Sequence, residues 1–115
     1  MSNMQYKDAT FGGDVQILKR PAFEGVPITL DFTNVVSVDT ATGLKVVKAG
    51  TPIDKDGVAS NDGDAIGILL WDVLEDRPQG TILKKAYIDL AKAEANCGLT
   101  IDAAVKAALP MVVFE

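Results

Sequence analysis

Sixteen carboxylates, one thiol and no imidazole are what this 115-residue chain offers for chemistry. Acid–base catalysis needs a group whose proton affinity suits its task, and histidine is the usual one. Without it the duty falls to carboxylates, lysines or tyrosines, and no histidine is present to activate a Ser or Thr hydroxyl. The densest acidic group is Asp54, Asp56, Asp62 and Asp64. Hard cations take such oxygens, which makes these four a weak calcium candidate. The spacing of a calcium-binding EF-hand loop fails, however. Counting from Asp54, Gly57 falls at the fourth position instead of the sixth, Val58 takes an oxygen-donor slot, and no bidentate Glu follows. A solvated, turn-rich loop is the stronger reading.

Asp72, Glu75 and Asp76 form a second acidic group, and glycoside hydrolysis needs two acids flanking a sugar. A short chain with 6% aromatic residues makes a poor sugar cleft, so these too read as a solvated turn. The lone Cys97 excludes an internal disulfide, and without histidine the usual zinc sites are excluded as well. Cys97 precedes Gly98 at an expected helix end and reads as a small packed hydrophobe. No glycine tract has phosphate-loop spacing. The expectation is a protein that is not an enzyme and holds no cofactor.

The net charge of −5 argues against nucleic acid as a partner, because that affinity comes from Lys and Arg on phosphates. Basic residues adjoin only at Lys19-Arg20 and Lys84-Lys85. No apolar run approaches the roughly 18 residues of a membrane span. The first residues lack the basic-then-apolar pattern of a signal peptide, so the expected product is soluble and made in a cytoplasm.

The elements that would position any site are short. Residues 1–14 read as a flexible, polar N-terminal arm carrying Met4, Tyr6 and Phe11, which suit contacts that order on binding. Residues 15–115 read as one domain without internal repeats. Residues 15–18 look like a strand closed by Lys19-Arg20-Pro21, and Ile28, Leu30 and Phe32 alternate toward one face. Residues 35–38 and 44–47 flank a turn-rich tract and suggest a hairpin. Pro52 keeps residues 49–53 out of a central strand, and residues 54–64 form a polar loop.

Residues 65–73 are the most apolar run and read as a buried strand, in which Gly67 marks a bulge or a close backbone approach. Trp71 within it suits a core or subunit-interface position. Residues 81–88 form a further strand. A helix over 89–96 is capped by Asp89 and stopped near Gly98. Thr100 is the expected cap of a second helix over 101–109, with the stripe Ile101, Ala104, Val105, Ala108 and Leu109 and an Asp102–Lys106 surface pair. Residues 111–114 close the chain as a strand. The sum is an α+β fold: a small β-rich domain, short-stranded and barrel- or sandwich-like, with two short C-terminal helices and a terminal strand.

The order Lys48-Ala49-Gly50-Thr51-Pro52-Ile53, a Gly/Asp loop, and Ala65-Ile66-Gly67-Ile68-Leu69-Leu70-Trp71-Asp72-Val73 carries a resemblance. With the strand at 81–88, the Ala-rich helices and Leu109-Pro110-Met111-Val112-Val113-Phe114, it resembles phage head decoration proteins of the lambda type and the related head-fibre proteins. The likeness spans about residues 45–115. It implies a domain of β-tulip type that forms a homotrimer at three-fold positions of a capsid. The partner implied is the major capsid protein, the location is the outside of the virion, and the role is stabilising the shell. It further implies that the arm, with Met4, Tyr6 and Phe11, orders against the capsid. Residues 31–47 depart from that pattern in being longer and more apolar, and no repetitive fibre shaft is encoded. The alternative is a small β-rich module that binds sugar or calcium on a particle surface, with the Asp54–Asp64 loop as its best support.

Overall fold

Ile68 and Leu69 are sequence neighbours, as are Ile82 and Leu83, and all four side chains are almost fully buried. Successive strand residues point to opposite faces, so these two strands are covered on both sides. That explains why residues 65–70 are continuously apolar where a one-sided strand would alternate. The computed structural model describes residues 17–115. The arm and its Met4, Tyr6 and Phe11 lie outside the described residues.

The elements run β1 (Leu18–Thr29), β2 (Val46–Val47), β3 (Pro52–Asp54), β4 (Ala65–Leu69), β5 (Val73–Leu74) and β6 (Gln79–Ile88). Then come α1 (Leu90–Cys97), α2 (Ala103–Ala108) and β7 (Val112–Phe114). A five-stranded sheet has the order β1-β6-β4-β3, antiparallel throughout, with β7 added parallel to β6. β2 and β5 form a separate two-stranded piece. The domain is therefore mostly β-sheet with two short helices, and the sheet does not close into a barrel.

Each face of the sheet has its own core. On one side Ile68, Leu70, Leu83, Ala86 and Ile88 meet Ala93, Ile101, Val105 and Leu109 from the helical segment. On the other, Leu69 and Ile82 meet Leu30, Val47, Ile53 and Val73. Full burial of each Leu, Ile or Val stabilises the fold by about 1.5–3 kcal/mol. β4 and β6 contribute to both clusters, so they are the sheet's structural centre.

Several sequence expectations hold. Asp89 caps α1 by accepting from the Lys92 N–H, and Gly98 ends it in the left-handed conformation. Ile28, Leu30 and Phe32 do share one side, all in the second cluster. The hairpin expected across residues 35–47 closes through the Val38–Lys45 bridge and a bond from the Asp39 N–H to the Leu44 carbonyl. Gly67 is a close approach, since a Cβ there would lie 2.9 Å from Ile82 Cβ.

Others are corrected. The first strand does not stop at Pro21 but continues to Thr29 through both Pro21 and Pro27. It is an edge strand, where a missing N–H can face outward without breaking the ladder. The expected 65–73 strand ends at Leu69, bends at Trp71 and restarts as β5. The second helix begins at Ala103 with Asp102 as its cap, accepting from the Ala104 N–H at 2.9 Å. Thr100 is otherwise engaged: its carbonyl accepts from Asn61, and the Ile101 N–H donates to Glu94 Oε2 at 2.8 Å. With its carboxylate at the cap, Asp102 is not the surface partner of Lys106, which lies over the Phe114 ring at 6.0 Å.

Gly50 adopts φ +97°, and a Cβ there would lie 2.7 Å from the Ala93 carbonyl of α1. Gly50→Ala is expected to destabilise the domain by about 1–3 kcal/mol through backbone strain, before any shift of α1. Urea unfolding of the two proteins measures it, and an unchanged midpoint would contradict this packing.

Candidate functional site

The acidic loop is held by its own carboxylates. Asp54 Oδ1 accepts from the Asp56 and Val58 N–H groups at 2.8 and 3.1 Å. Asp62 Oδ1 accepts from Ser60 Oγ at 2.6 Å and from the Asp64 N–H at 2.9 Å. These are the local turns that aspartate forms with backbone two residues on. The Ser60 hydroxyl first, and the Asp64 N–H second, hold Asp62 below its ordinary pKa. Among the described residues no three acidic, cysteine or histidine side chains are placed to share a metal ion. Asn61 pins the loop to the helix connection, donating to the Thr100 carbonyl at 2.8 Å and accepting from the Asp102 N–H at 2.9 Å.

Asp72 differs from the solvated turn residue that the sequence suggests. Its Oδ1 accepts from the Ala49 N–H at 2.7 Å and from Asn96 Nδ2 at 3.1 Å. Lys48 Nζ lies 3.6 Å from Oδ2, and the Asp72 side chain is only 11% exposed. One carboxylate thus joins the β2–β3 corner, the β4–β5 bend and α1. Glu75 and Asp76 do remain exposed. No sequence signal separates Asp72 from them, because its partners lie 23 and 24 residues away.

Two depressions stand out on the surface of the described residues. The first is a groove of about 260 Å3 under the residue 31–37 loop. Val35, Val36, Val46, Val47, Val58 and Leu99 make it predominantly apolar, with Asp31 and Cys97 also on its wall. Burial pushes the Cys97 thiol up from its ordinary pKa, with Glu94 adding to the rise, so it stays protonated at neutral pH. Asp31 is held low by the Thr33 hydroxyl, then by the Thr33 N–H. The second, more open depression, of about 450 Å3, runs beside Trp71, a residue 39% exposed, with Asp76, Arg77 and Gln79 along it. Trp71 is therefore outside both cores.

Among the described residues, β1 and the neighbouring part of β6 form an uncovered ribbon. Ten of the twelve β1 residues are exposed, because the helices cover one face of the sheet only as far as β6 and the β2–β5 piece covers little of the other. Phe23 is the register partner of Ala86, and Val26 of Ile82, which puts them on opposite faces of the same ribbon at 45% and 42% exposure. Lys19, Arg20, Lys84 and Lys85 all lie on this ribbon. Arg20 stacks over Tyr87 at 5.5 Å and pairs with Glu115 at 3.3 Å. The two basic pairs lie some 65 residues apart in the chain and meet only because β1 pairs with β6, which no local sequence pattern signals.

Comparison of the chain with protein-family models, with curated proteins and with solved structures finds no match.

Two outcomes follow from the site's bonding. Asp72→Ala leaves the Ala49 N–H without its acceptor and is expected to lower stability by about 1–3 kcal/mol, read from thermal or urea unfolding. Asp62 titrates lower in the folded than in the unfolded chain. The stability it adds is therefore complete above the unfolded carboxylate pKa, ~3.9, and is lost as pH falls through the folded value. Ser60→Ala should move the Asp62 midpoint upward in a carboxyl-carbon NMR titration, and an unmoved midpoint would refute the assignment.

Proposed function

We propose that this chain is a structural virion protein that binds the outer surface of a phage capsid as a homotrimer and stabilises it. The role is that of a head decoration protein or the base of a head fibre, built on a β-tulip-type domain and doing no chemistry of its own. The order of segments over residues 45–115 supports this role. The observation that carries it is the exposed edge strand β1, with Phe23 at 45% and Val26 at 42% exposed on its two faces, beside a β4–β6 centre that is buried on both sides. An exposed aromatic ring amid basic side chains suits contact with a protein partner. No helix among the described residues is long and apolar enough to cross a membrane.

The bonding of the polar groups agrees with a scaffold role. Asp54, Asp62, Asp72, Asp89 and Asp102 each accept bonds that hold the chain's own turns, caps or corners. A clamp on a symmetric shell gains avidity from many modest contacts and needs no single tight site. The arm, with Met4, Tyr6 and Phe11, supplies the reach to the major capsid protein, and main-chain pairing there would give affinity while side chains give register.

A second reading keeps a specific observation in its favour. The half-exposed Trp71 lies beside Asp76, Arg77 and Gln79, an aromatic ring next to hydrogen-bonding groups of the kind a sugar face needs. On that reading the chain is a small sugar- or calcium-binding module on a particle surface.

The test is sedimentation with purified expanded phage shells, together with light scattering of the free protein. Trimers that co-sediment and protect shells from thermal rupture are expected. A monomer that ignores shells would sink the proposal, and calorimetric heat with glycans but none with shells would favour the module. Deleting residues 2–13 is expected to weaken shell binding at least tenfold while leaving the thermal midpoint of the domain unchanged.

A further inference from the structure

Resting on the trimer just proposed, we infer which surfaces of the chain meet: Phe23, on the basic β1–β6 ribbon of one copy, enters the valine-lined groove of the next. A three-fold ring needs a head-to-tail contact, in which two different patches of the same chain are complementary. The ribbon and the groove are such a pair, because Phe23 presents an apolar ring from one face of the ribbon, the groove is valine-lined, and the two carry opposite charge. Around Phe23 the ribbon carries Lys19, Arg20, Lys84 and Lys85 against Glu24 and Glu115, with Val26 on its other face. The groove has Asp31 on its wall, and its Val58 and Ala59 come from the loop that bears Asp54, Asp56, Asp62 and Asp64 against a single Lys55. The groove's own Lys48 lies 3.6 Å from Asp72 and is balanced by it. An apolar centre with a charged rim is the ordinary anatomy of a protein interface.

Size and reach also favour a second copy. A dry apolar cavity of ~150 Å3 already holds a benzene molecule, so a groove of about 260 Å3 accommodates a phenylalanine ring. Phe23 does not fill the groove of its own chain. Six residues of continuous strand, at roughly 3.3 Å each, separate it from Thr29, and the groove wall begins two residues further at Asp31. Strand-to-strand addition at the β1 edge is the weaker alternative. Pro21, Pro27 and the register shifts at Leu18/Phe23 and Glu24/Gly25 interrupt that edge, as proteins do where edge pairing is to be avoided. The contact is therefore made by side chains.

The groove contains its own reporter, since Cys97 is a free thiol on its wall. The experiment takes the full chain with Phe23→Cys and oxidises it mildly at alkaline pH. Covalent dimers and trimers on a non-reducing gel are expected, and they should vanish when Cys97→Ser is added. Lys84→Glu with Lys85→Glu should weaken association at least tenfold at low salt and much less at high salt, with unchanged circular dichroism as the folding control. Trimers by light scattering that give no Cys97-dependent cross-link would overturn this interface and leave the trimer standing. A charge variant that stays trimeric yet loses shell binding would reassign the ribbon to the capsid and overturn the inference. Protein that is monomeric at all concentrations would overturn both the interface and the trimer.

Discussion

Burial of the β4–β6 pair on both faces is the constraint from which the other features follow. Ile68 with Leu83 commits one face to the helices, and Leu69 with Ile82 commits the other to the β2–β5 piece and the residue 31–37 loop. With two thin layers to build, a chain of this size has enough apolar residues to cover the middle of its sheet and not its β1 edge. The exposed ribbon is thus a consequence of how the core is distributed. It is also the surface on which the proposed assembly role rests.

The polar side chains complete that frame. Asp72 fixes the corner at Ala49 to the bend after β4 and, through Asn96, to α1. Asn61 ties the acidic loop to the connection between the helices. Asn96 also donates to the Ala49 carbonyl at 2.9 Å, so both backbone groups of that residue are satisfied from α1 and the bend. Each such bond is of modest net worth, about 0.5–1.5 kcal/mol, yet leaving a half-buried donor unpaired costs more. Together they hold the loops in place through the chain's own hydrogen bonds.

Much of this was legible along the chain. The cap at Asp89, the left-handed stop at Gly98, the alternation of Ile28, Leu30 and Phe32 and the close approach at Gly67 are consequences of local stereochemistry. The mistakes share a cause. Pro21 looked like the end of a strand because a proline breaks a central ladder, and only the sheet order makes β1 an edge. Thr100 has a capping hydroxyl by residue type, yet the helix starts two residues later with Asp102 as its cap. Asn61, 39 residues before Thr100, binds both the Thr100 carbonyl and the Asp102 N–H and so fixes the backbone just ahead of the helix.

The sequence by itself determined the absence of histidine and of a second cysteine, the presence of two short helices late in the chain and the terminal signals of the first of them, because these depend on residue type and near neighbours. Tertiary structure decided which aspartate bears load, which apolar residues stay outside and where opposite charges collect. Those outcomes depend on pairing between segments far apart in the chain, and no local pattern of side chains encodes which strand will lie beside which.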